Sequence, residues 1–418
     1  MDHFLFIETN TTGTGIKAMK MAKSKGYQYQ IHFWTNDPDQ YKQVAADHPL
    51  QLADYVKIVD TYDVDAMINL VQTASYHFAG ILAFDDYHLI PVSRMAHFLG
   101  LPGHPLEALT IARYKEKTRH FLQKNDTGFR QPAFHTIENP SELSKDIPYP
   151  CVLKPVDDSG SCGVTICQNQ GELMQALSKE MKRLRNKRGY KLKRKWLVEE
   201  FINGEEYSAE MLYTANGWEL ISTTRKKTIG LHSVEVGHVT GKGIEPVPQL
   251  EEKGKRLLDL IGLRFGAAHI EFIVRGNVPY LVEINPRLAG DCIPDLVELS
   301  TGIDMVEHVM DQAVGERKSV TKSSRLSAAI QFAIPKIKGT YVKVSGVEEA
   351  KKSNGVISVS VAALPMHADH VSSSYDRLGY VIATGDTPDE ASGRAEQAIQ
   401  KLRWEVGNIE AAHLIRGE

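Results

Sequence analysis

The sequence lacks the features that would direct a protein to a membrane, an oxidising compartment or a nucleic acid. Its 418 residues include four cysteines, at positions 151, 162, 167 and 292, and no two of them have CxxC spacing. No apolar run approaches the roughly 18 residues of a membrane span, and the N-terminus has no basic segment followed by an apolar one. The formal net charge is only −3. We therefore expect a soluble, cytoplasmic protein with reduced core thiols and no nucleic-acid or membrane partner.

Two familiar nucleotide-binding motifs are also missing. The sequence contains neither the GxGxxG of a dinucleotide site nor the GxxxxGK[ST] of a P-loop. The Thr-Thr-Gly-Thr-Gly loop at 11–15 follows the first predicted strand and precedes a helix, where it would be able to hold an anion. A strand-to-helix turn that needs glycine is the favoured interpretation of this loop, and a substrate contact is the alternative.

The first part of the chain alternates predicted strands with predicted helices. Strands are expected near 3–8, 29–34, 55–59 and 80–84. This alternation predicts a wound parallel α/β sheet over about the first 105 residues. Two acids, at 85–86, follow the fourth strand at the edge where such sheets place ligands, although adjacent acids are also common in loops.

A pair of apolar segments, 268–274 and 279–285, predicts a β-hairpin with its turn at 275–277. Because side chains alternate along a strand, Glu283 and Asn285 share one face. Glu271 joins them only if the turn contains an odd number of residues, and we treat that odd turn as a requirement. The three side chains would then suit Mg²⁺, which prefers oxygen ligands. The alternative is a solvated outer face, but the surrounding residues are apolar, and clustered buried carboxylates need a cation.

Two lysines precede this hairpin in settings that suit phosphate binding. Lys115 lies in a predicted helix, 108–124, and Lys154 lies in an apolar strand that runs into the Gly/Ser loop 157–163. A small-residue hairpin tip can present backbone N–H groups to phosphate oxygens, although a flexible hairpin explains the loop equally well.

Three further segments carry weaker signals. The basic run 182–195 is interpreted as a mobile surface segment in preference to a nucleic-acid site. The polar segment 230–243, which holds Glu235 and His238, is a candidate binding loop. The last 95 or so residues alternate strands with a terminal helix predicted at 388–406, show no catalytic constellation, and suggest a packing or lid domain.

Three stretches together carry a family resemblance. They are Leu-Lys-Pro-Val-Asp-Asp-Ser-Gly-Ser-Cys-Gly-Val at 153–164, Leu-Val-Glu-Glu-Phe-Ile-Asn-Gly-Glu-Glu-Tyr-Ser-Ala-Glu at 197–210 and Val-Glu-Ile-Asn-Pro-Arg at 282–287. In this order they resemble the ATP-grasp superfamily of carboxylate–amine ligases over about residues 90–400. The resemblance implies an α/β (α+β) fold with antiparallel sheets. It divides the chain into an N-terminal α/β domain at 1–107, a small lid domain at 108–205, a core with the metal site at 206–315 and a C-terminal subdomain at 316–418.

The resemblance also assigns roles to individual residues. ATP phosphates would be contacted by Lys115 and Lys154 and covered by Ser159, Gly160, Ser161 and Gly163. Adenine would be held by Glu199 with the backbone of Phe201 and Ile202, and the ribose by Glu206. Mg²⁺, or Mn²⁺ in its place, would be bound by Glu271, Glu283 and Asn285. The transferring phosphoryl group, or the oxyanion that follows, would be steadied by Arg287, a catalytic residue together with Lys154.

Within the superfamily, 233–238 and 287–291 look most like the bacterial L-amino acid ligases, which form dipeptides from unprotected amino acids. In that case Glu235 and His238 would face the substrates, and Gly290 with Asp291 would border the amine-bearing one. The expected partners are amino acids, with a homodimer as an option. Alternatives are purine-pathway, carbamoyl-phosphate or biotin-carboxylase types, the last with a glycine-richer loop, and a nucleotide-binding protein without turnover.

Overall fold

The computed structural model describes residues 2–10, 13–24, 26–42, 48–74, 76–143, 146–230, 234–323, 326–368, 371 and 373–407. Parts of the Thr/Gly loop at 11–15 and of the segment 230–243 lie outside these residues. No helix within the described ranges is both long enough and apolar enough to cross a membrane. The four cysteines are free thiols, and three of them are buried, as expected.

The N-terminal domain is a wound parallel sheet, as the alternating pattern predicts. Its strands run in the order β3-β2-β1-β4, and β1 pairs in parallel with both β2 and β4. The elements are β1 (His3–Ile7), α1 (Thr14–Ala22), β2 (Gln30–Thr35), α2 (Asp39–Lys42), α3 (Pro49–Leu52), β3 (Tyr55–Ile58), α4 (Val64–Gln72), β4 (Phe78–Leu82) and α5 (Leu89–Leu99). Buried Phe4 and Phe6 on β1 pack in the same core as Val306 and Met310 of the later chain, so this domain is joined to the rest by apolar burial.

The predicted helix 108–124 is two helices, α6 (Leu106–Arg113) and α7 (Lys115–Lys124). Tyr114 between them is extended, with φ −100° and ψ 109°. The break lets the backbone N–H of Lys115 donate to the Val156 carbonyl at 3.0 Å. This contact ties the start of α7 to the strand that carries Lys154.

A four-stranded antiparallel sheet follows, in the order β5-β8-β6-β7. It consists of β5 (Phe134–Ile137), β6 (Cys151–Pro155), β7 (Thr165–Cys167) and β8 (Trp196–Glu200), with α8 (Gln170–Glu180) against it. The β6–β7 hairpin confirms the strand–loop–strand interpretation of 157–163. This sheet and α8 are called the lid sheet below.

The largest sheet has eight strands, in the order β13-β12-β9-β10-β11-β14-β18-β16. From the middle of the chain come β9 (Glu205–Thr214), β10 (Gly217–Ile229), β11 (Val234–Thr240), α9 (Leu250–Ile261), β12 (Ala267–Arg275), β13 (Val278–Asn285), α10 (Ile293–Thr301) and α11 (Met305–Ala313). The predicted binding loop 230–243 was wrong in its described part, because Val234–Thr240 is an interior strand paired with β10 and β14. Glu235 and His238 are therefore held by a sheet and not by a loop.

The C-terminal part supplies three strands of that same sheet. Its elements are β14 (Ser327–Ala333), β15 (Gly339–Ser345), α12 (Val347–Lys351), β16 (Val356–Val361), β17 (Met366–Ala368), β18 (Gly379–Gly385), α13 (Pro388–Ile399) and β19 (Arg403–Val406). The predicted terminal helix was too long, because the chain returns as β19 to pair with β15. Since β14, β18 and β16 extend the large sheet, this region is continuous with the core.

The hairpin of β12 and β13 reaches the expected pairing by an unexpected route. The predicted odd turn was wrong: Arg275 pairs with Val278, so only two residues form the turn. Gly276 has a φ of 65°, which fits the first central position of a type II′ turn. A register shift then occurs, with Phe272 opposite Leu281 but Glu271 opposite Glu283, so Val282 is an extra residue. This β-bulge restores the alignment that an even turn alone would have destroyed.

Candidate active site

An open cavity of about 960 Å³ lies between the lid sheet and the hairpin of β12 and β13. One part of its wall is apolar, with Val152 and Ile166 from the lid sheet facing Ile273 and Leu281 from the hairpin. The other part is strongly polar. The predicted site residues in its wall are Lys115, Lys154, Ser159, Gly160, Ser161, Glu199, Phe201, Ile202, Glu206, Glu235, Glu271 and Glu283. The cavity thus offers an apolar slot for a flat ring beside charged groups suited to phosphates.

Lys154 and Glu199 form a buried ion pair in the polar wall. The Lys154 Nζ lies 2.5 Å from Glu199 Oε2, and the Arg119 Nε donates to Glu199 Oε1 at 2.6 Å. Burial opposes ionisation of Glu199, but Arg119 and Lys154 outweigh it and lower the pKa of this carboxyl. Burial also lowers the pKa of Lys154, against the pull of Glu199. Glu199 therefore orients two cations at the place where the resemblance puts adenine and phosphate contacts.

Lys115 connects the phosphate loop to the hairpin. Its Nζ donates to the Asp158 carbonyl at 2.8 Å and lies 2.6 Å from Glu283 Oε2. Glu283 also accepts a bond from the Asn285 amide at 3.0 Å. These contacts join the loop, the hairpin and the start of α7 in one network. A nucleotide phosphate entering beside Glu283 would meet this ammonium.

The loop 157–163 is a tight turn that side chains of neighbouring elements hold in place. Gly160, Ser161 and Gly163 have φ values of 65°, 58° and 78°, so the backbone coils through left-handed conformations. A Cβ on Gly163 would lie 2.4 Å from Glu180 Oε2, which fixes glycine at this position. Asp158 is anchored by Arg183 and, at 2.7 Å, by the Tyr87 hydroxyl of the N-terminal domain. The loop is therefore supported from two sides.

Glu271 and Glu283, the predicted ligands of a divalent cation, are brought together by the hairpin of β12 and β13. They oppose one another across the hairpin and line the cavity, while Asn285 lies two residues beyond Glu283 on the same face. Burial works against ionisation of both acids, but Lys226 keeps the pKa of Glu271 low and Lys115 keeps that of Glu283 low. Two ionised, part-buried carboxylates in the polar part of the cavity wall fit the oxygen-rich coordination of Mg²⁺.

Lys226 is a buried cation that the sequence did not single out. Its Nζ contacts Glu235 at 2.8 Å, Glu271 at 3.0 Å and Glu206 at 3.8 Å, and its side chain is 1% exposed. Burial, with repulsion from neighbouring acids, raises the pKa of Glu206 to about 7 despite Lys226. One lysine therefore links the predicted ribose, metal and substrate residues.

A second pairing behind Glu271 also had no sequence signal. His269 donates to Glu210 at 2.8 Å and to Glu271 at 2.9 Å, each through one ring nitrogen. Burial opposes protonation of His269, yet Glu210 raises the pKa of this imidazole to about 9. A doubly donating histidinium holds Glu271 in one orientation.

Arg287 lies outside the wall of the large cavity and is fixed by the N-terminal domain. Its Nε and one terminal nitrogen donate to Asp86 at 2.8 and 2.6 Å, a bidentate pair. Burial resists ionisation of Asp86, but Arg287 lowers the pKa of this carboxyl. The acid pair at 85–86, a weak signal in the sequence, therefore contains the residue that orients the predicted catalytic arginine.

The predicted substrate residues converge with an arginine from the C-terminal region. Asp291 lies 3.1 Å from His238 Nε2 and 2.7 Å from the Arg377 guanidinium, which also contacts Glu235 at 3.3 Å. Burial resists ionisation of Asp291, but Arg377 holds the pKa of this carboxyl well below its usual range. Gly290 precedes Asp291 at the entry to α10, with open space around it. Arg377 therefore brings the C-terminal region, in which the sequence shows no catalytic constellation, into contact with two predicted substrate residues.

Six of the nine basic residues in the run 182–195 are exposed, as predicted for a surface segment, but Arg188 is not. Arg188 has an 11% exposed side chain and donates to the Thr9 carbonyl at 2.9 Å and to Asp85 at 3.3 Å. The Arg113 guanidinium lies 5.9 Å from the centre of the Tyr190 ring. The run therefore packs the lid sheet against the N-terminal domain. The pattern of charges gave no indication of the buried acceptors.

Comparisons with known proteins agree with this geometry. Residues 147–295 match the family model of the ATP-grasp domain, and residues 331–407 match that of the L-amino acid ligase C-terminal domain 2. The structure of an L-amino acid ligase from Bacillus licheniformis has the same fold, with a TM-score of 0.79 at 20% identity, covering 98% of this chain and all of that one. The chain therefore carries an ATP-grasp domain at 147–295. Its C-terminal region is, more narrowly, of the type named for the L-amino acid ligases.

Proteins of similar sequence carry names that refer to more than one reaction. The protein y4rH of Sinorhizobium fredii, described as uncharacterised, is 27% identical over 394 residues, which is 90% of this chain and 78% of that protein. Dapdiamide A synthase of Enterobacter agglomerans is 26% identical over 293 residues, covering 66% of each. A formate-dependent phosphoribosylglycinamide formyltransferase of Prochlorococcus marinus is 25% identical over 312 residues, covering 73% of this chain and 75% of that protein.

Proposed function

We propose that this protein is an L-amino acid ligase that joins two unprotected amino acids into a dipeptide and releases ADP and phosphate. The observation that carries the proposal is the cluster of Glu235, His238, Asp291 and Arg377, which is connected to the metal candidate Glu271 through Lys226. Alternating acids and bases suit a zwitterion, which offers an ammonium and a carboxylate. The match of 331–407 and the similarity to dapdiamide A synthase support the same conclusion.

The reaction needs activation because a carboxylate is anionic and its leaving group would be oxide. A carboxylate oxygen of the first amino acid attacks the γ-phosphorus of ATP, and the bond from that phosphorus to the bridging oxygen breaks, giving an acyl phosphate and ADP. The amine of the second amino acid then attacks the acyl carbon. The C–O bond to phosphate breaks, and the amine loses a proton to a base or to water, which leaves the amide.

In this proposal the chain supplies charges and exclusion of water. Lys115 and Lys154 neutralise phosphate oxygens, and the N–H groups of 159–163 close over them. Mg²⁺ bound by Glu271, Glu283 and Asn285, or Mn²⁺ in its place, would offset the negative charge of the phosphates during transfer. Arg287, aligned by Asp86, steadies the transferring phosphoryl group or the oxyanion that follows.

Exclusion of water is needed because the acyl phosphate would otherwise hydrolyse. The Asp158 side chain joins the phosphate loop to Tyr87 of the N-terminal domain, and Arg188 joins the lid sheet to the same domain. These contacts describe a cavity covered on the side of the phosphate loop. Ordered closure of this kind is a common way to protect a reactive intermediate.

The decisive experiment measures phosphate release with Mg-ATP over a grid of amino-acid pairs, with products identified by mass spectrometry. A dipeptide formed in step with ADP is the expected result. The same assay includes formate with a glycinamide ribonucleotide, and bicarbonate with biotin, to test the alternative ligase types. Product in those arms alone would replace the dipeptide proposal and keep the ligase family. No nucleotide turnover with any substrate would favour a binding protein.

The metal assignment has its own test in Glu283→Gln. Removing one of two opposed carboxylates should lower ADP formation by about 100-fold or more, because the charge that offsets the cation is halved. The melting temperature should fall, because Lys115 loses its carboxylate partner, so ADP formation is measured at a temperature at which the variant is still folded. Glu348→Gln is the matched control, as Glu348 has a 73% exposed side chain far from the cavity and pairs only locally with Lys351. Undiminished turnover in Glu283→Gln would remove the assignment.

A further inference from the structure

Arg377 lies behind two acids of the substrate cluster and contacts each of them. Its side chain is 8% exposed, whereas those of Glu235 and Asp291 are 17% and 23% exposed. The three groups therefore differ in depth, with the acids nearer the solvent-filled space and the guanidinium deeper. A ligand that enters the cluster would meet the carboxylates first.

The guanidinium is held rigidly in this position. It donates through Nε to the Glu235 backbone carbonyl at 3.1 Å, through one terminal nitrogen to Asp291 at 2.7 Å, and through the other to the Glu235 carboxylate at 3.3 Å. Its carbon lies 3.8 Å from the centre of the Phe332 ring, at cation–π distance. Two strands, β11 and β14, and the entry to α10 thus meet at one side chain.

The charges around the cluster leave an excess of acid. Five acids, Glu206, Glu210, Glu235, Glu271 and Asp291, share three cations, Lys226, Arg377 and the histidinium of His269. Asp291 and Glu235 each keep lone pairs that their present partners do not use. A further cation entering past Glu235, the member of the cluster that lines the cavity, would therefore be bound favourably. An ammonium suits this place better than a metal ion, although Glu235, His238 and Asp291 bring ligand atoms within 4.8 Å of one another. An ammonium can donate to the unused lone pairs of both carboxylates while their ion pairs with Lys226 and Arg377 stay intact.

Asp291 is kept in place by an unusual backbone as well. Asp291 and Cys292 have φ values of 56° and 57°, two consecutive left-handed residues that are not glycine. Such a conformation persists only where surrounding contacts enforce it. The bonds from Arg377 and His238 supply contacts of this kind. Loss of Arg377 would leave Asp291 free to turn away and would leave two like charges close together.

We propose that Arg377 is a positioning residue that holds Glu235 and Asp291 in the arrangement that binds the free ammonium group of an amino-acid substrate. Arg377 acts through these acids and does not itself contact the substrate. The inference rests on the proposed function, since it deepens the account of the same site. It adds a specificity requirement: compounds with a free α-ammonium are accepted, and their N-acetylated forms are rejected.

The test compares Arg377→Gln, Arg377→Lys and the control Arg403→Gln in the full chain. Arg403 has a 69% exposed side chain and pairs with Glu349 in the same region. In Arg377→Gln we expect the KM for amino acids to rise about 30-fold, with kcat and the Kd for ATP changed less than about threefold. Arg377→Lys should recover part of the loss, because a lysine supplies the charge but not the fork. Arg403→Gln should resemble the wild type.

A second comparison separates positioning from direct recognition of the substrate carboxylate. Calorimetry measures binding of an amino acid, of its decarboxylated amine and of its N-acetyl derivative. If Arg377 positions the acids, Arg377→Gln weakens the amino acid and the amine alike, and the N-acetyl derivative does not bind either protein. If only the amino acid is weakened, Arg377 contacts the carboxylate and the proposal is wrong.

The two possible failures can be told apart. If the wild-type protein binds ammonium compounds, Arg377→Gln weakens that binding, and no dipeptide forms, the proposed function is contradicted and this inference stands. If dipeptides form and the KM for amino acids is unchanged in Arg377→Gln, the proposed function stands and this inference is contradicted. A wild-type protein that binds no ammonium compound would overturn the inference, whatever its turnover. If Arg377→Gln no longer binds ATP, it is treated as misfolded. The KM for amino acids is then measured in Arg377→Lys and in Phe332→Leu, which removes only the ring beneath the guanidinium, and an unchanged KM in both would contradict the inference.

Discussion

Five carboxylates of the candidate site each lie beside a cation from a different part of the chain. The pairs are Asp86 with Arg287, Glu199 with Arg119, Glu271 with Lys226, Glu283 with Lys115 and Asp291 with Arg377. A buried charge without a partner costs several kcal/mol, so these pairings keep the acids ionised inside a folded protein. They also fix each acid in one direction. At the scale of residues, the site is an arrangement of charges made before any ligand arrives.

Arg287 provides a test of that arrangement. Arg287→Lys keeps a positive charge but loses the fork that Asp86 aligns, and should lower kcat/KM by about 100-fold while changing the Kd for ATP little. Asp86→Asn should lower kcat less, because Arg287 keeps its charge and loses only one oriented partner. Single-turnover kinetics with direct measurement of ATP binding separates the two effects. A loss confined to ATP affinity would contradict a role in the transition state.

At the scale of elements, a bulge in β13 decides where the metal candidates point. The two-residue turn by itself would place Glu271 on the opposite face from Glu283, and Val282 as the extra residue reverses this. The carbonyl of Val282 also accepts a bond from Arg119 at 2.8 Å, so the irregularity is tied to the same network as Glu199. Bulges often occur near active sites because they re-aim side chains.

Glycines in two elements allow a matched stability test. A Cβ on Gly80 in β4 would lie 2.4 Å from the Phe4 ring in the buried core, whereas one on Gly393 in α13 meets nothing within 4 Å. Gly80→Ala should lower the free energy of unfolding by about 1–3 kcal/mol through overpacking. Gly393→Ala should raise it by about 0.5–1 kcal/mol, because alanine favours a helix. Denaturant unfolding measures both, and similar effects for the two variants would show that packing at Gly80 is looser than the structure indicates.

At the scale of the whole molecule, the sheet joins regions that the sequence suggests are separate. Strands from 206–315 and from the C-terminal part lie in one eight-stranded sheet, and Arg377 connects that part to the substrate cluster. The N-terminal domain shares an apolar core with α11 and holds Arg287 through Asp86. The regions on either side of the boundaries proposed at 107 and 315 therefore share a core or a sheet with their neighbours.

Removal of the C-terminal part should consequently unfold more than a lid. A chain ending at residue 315 would lose β14, β18 and β16 and would expose the edge of β11. Unpaired edge strands favour aggregation, so we expect insolubility or a strongly lowered melting temperature. Circular dichroism during heating, with the full chain as the control, measures this. A soluble fragment that melts at the temperature of the full chain would show that the region is an independent domain.

Local periodicity and short motifs are enough to predict the alternating α/β start, the strand–loop–strand at 157–163, the hairpin of β12 and β13 and the resemblance to ATP-grasp ligases. The same local patterns picked out four residues that line the cavity, Glu271, Glu283, Lys115 and Lys154. Local patterns do not predict the bulge at Val282, the strand in place of a loop at 234–240, or the partners of Lys226, Asp86, Arg188 and Arg377. These depend on contacts between residues far apart in the chain. A charged residue in a polar sequence carries no local sign of the buried partner that will fix it.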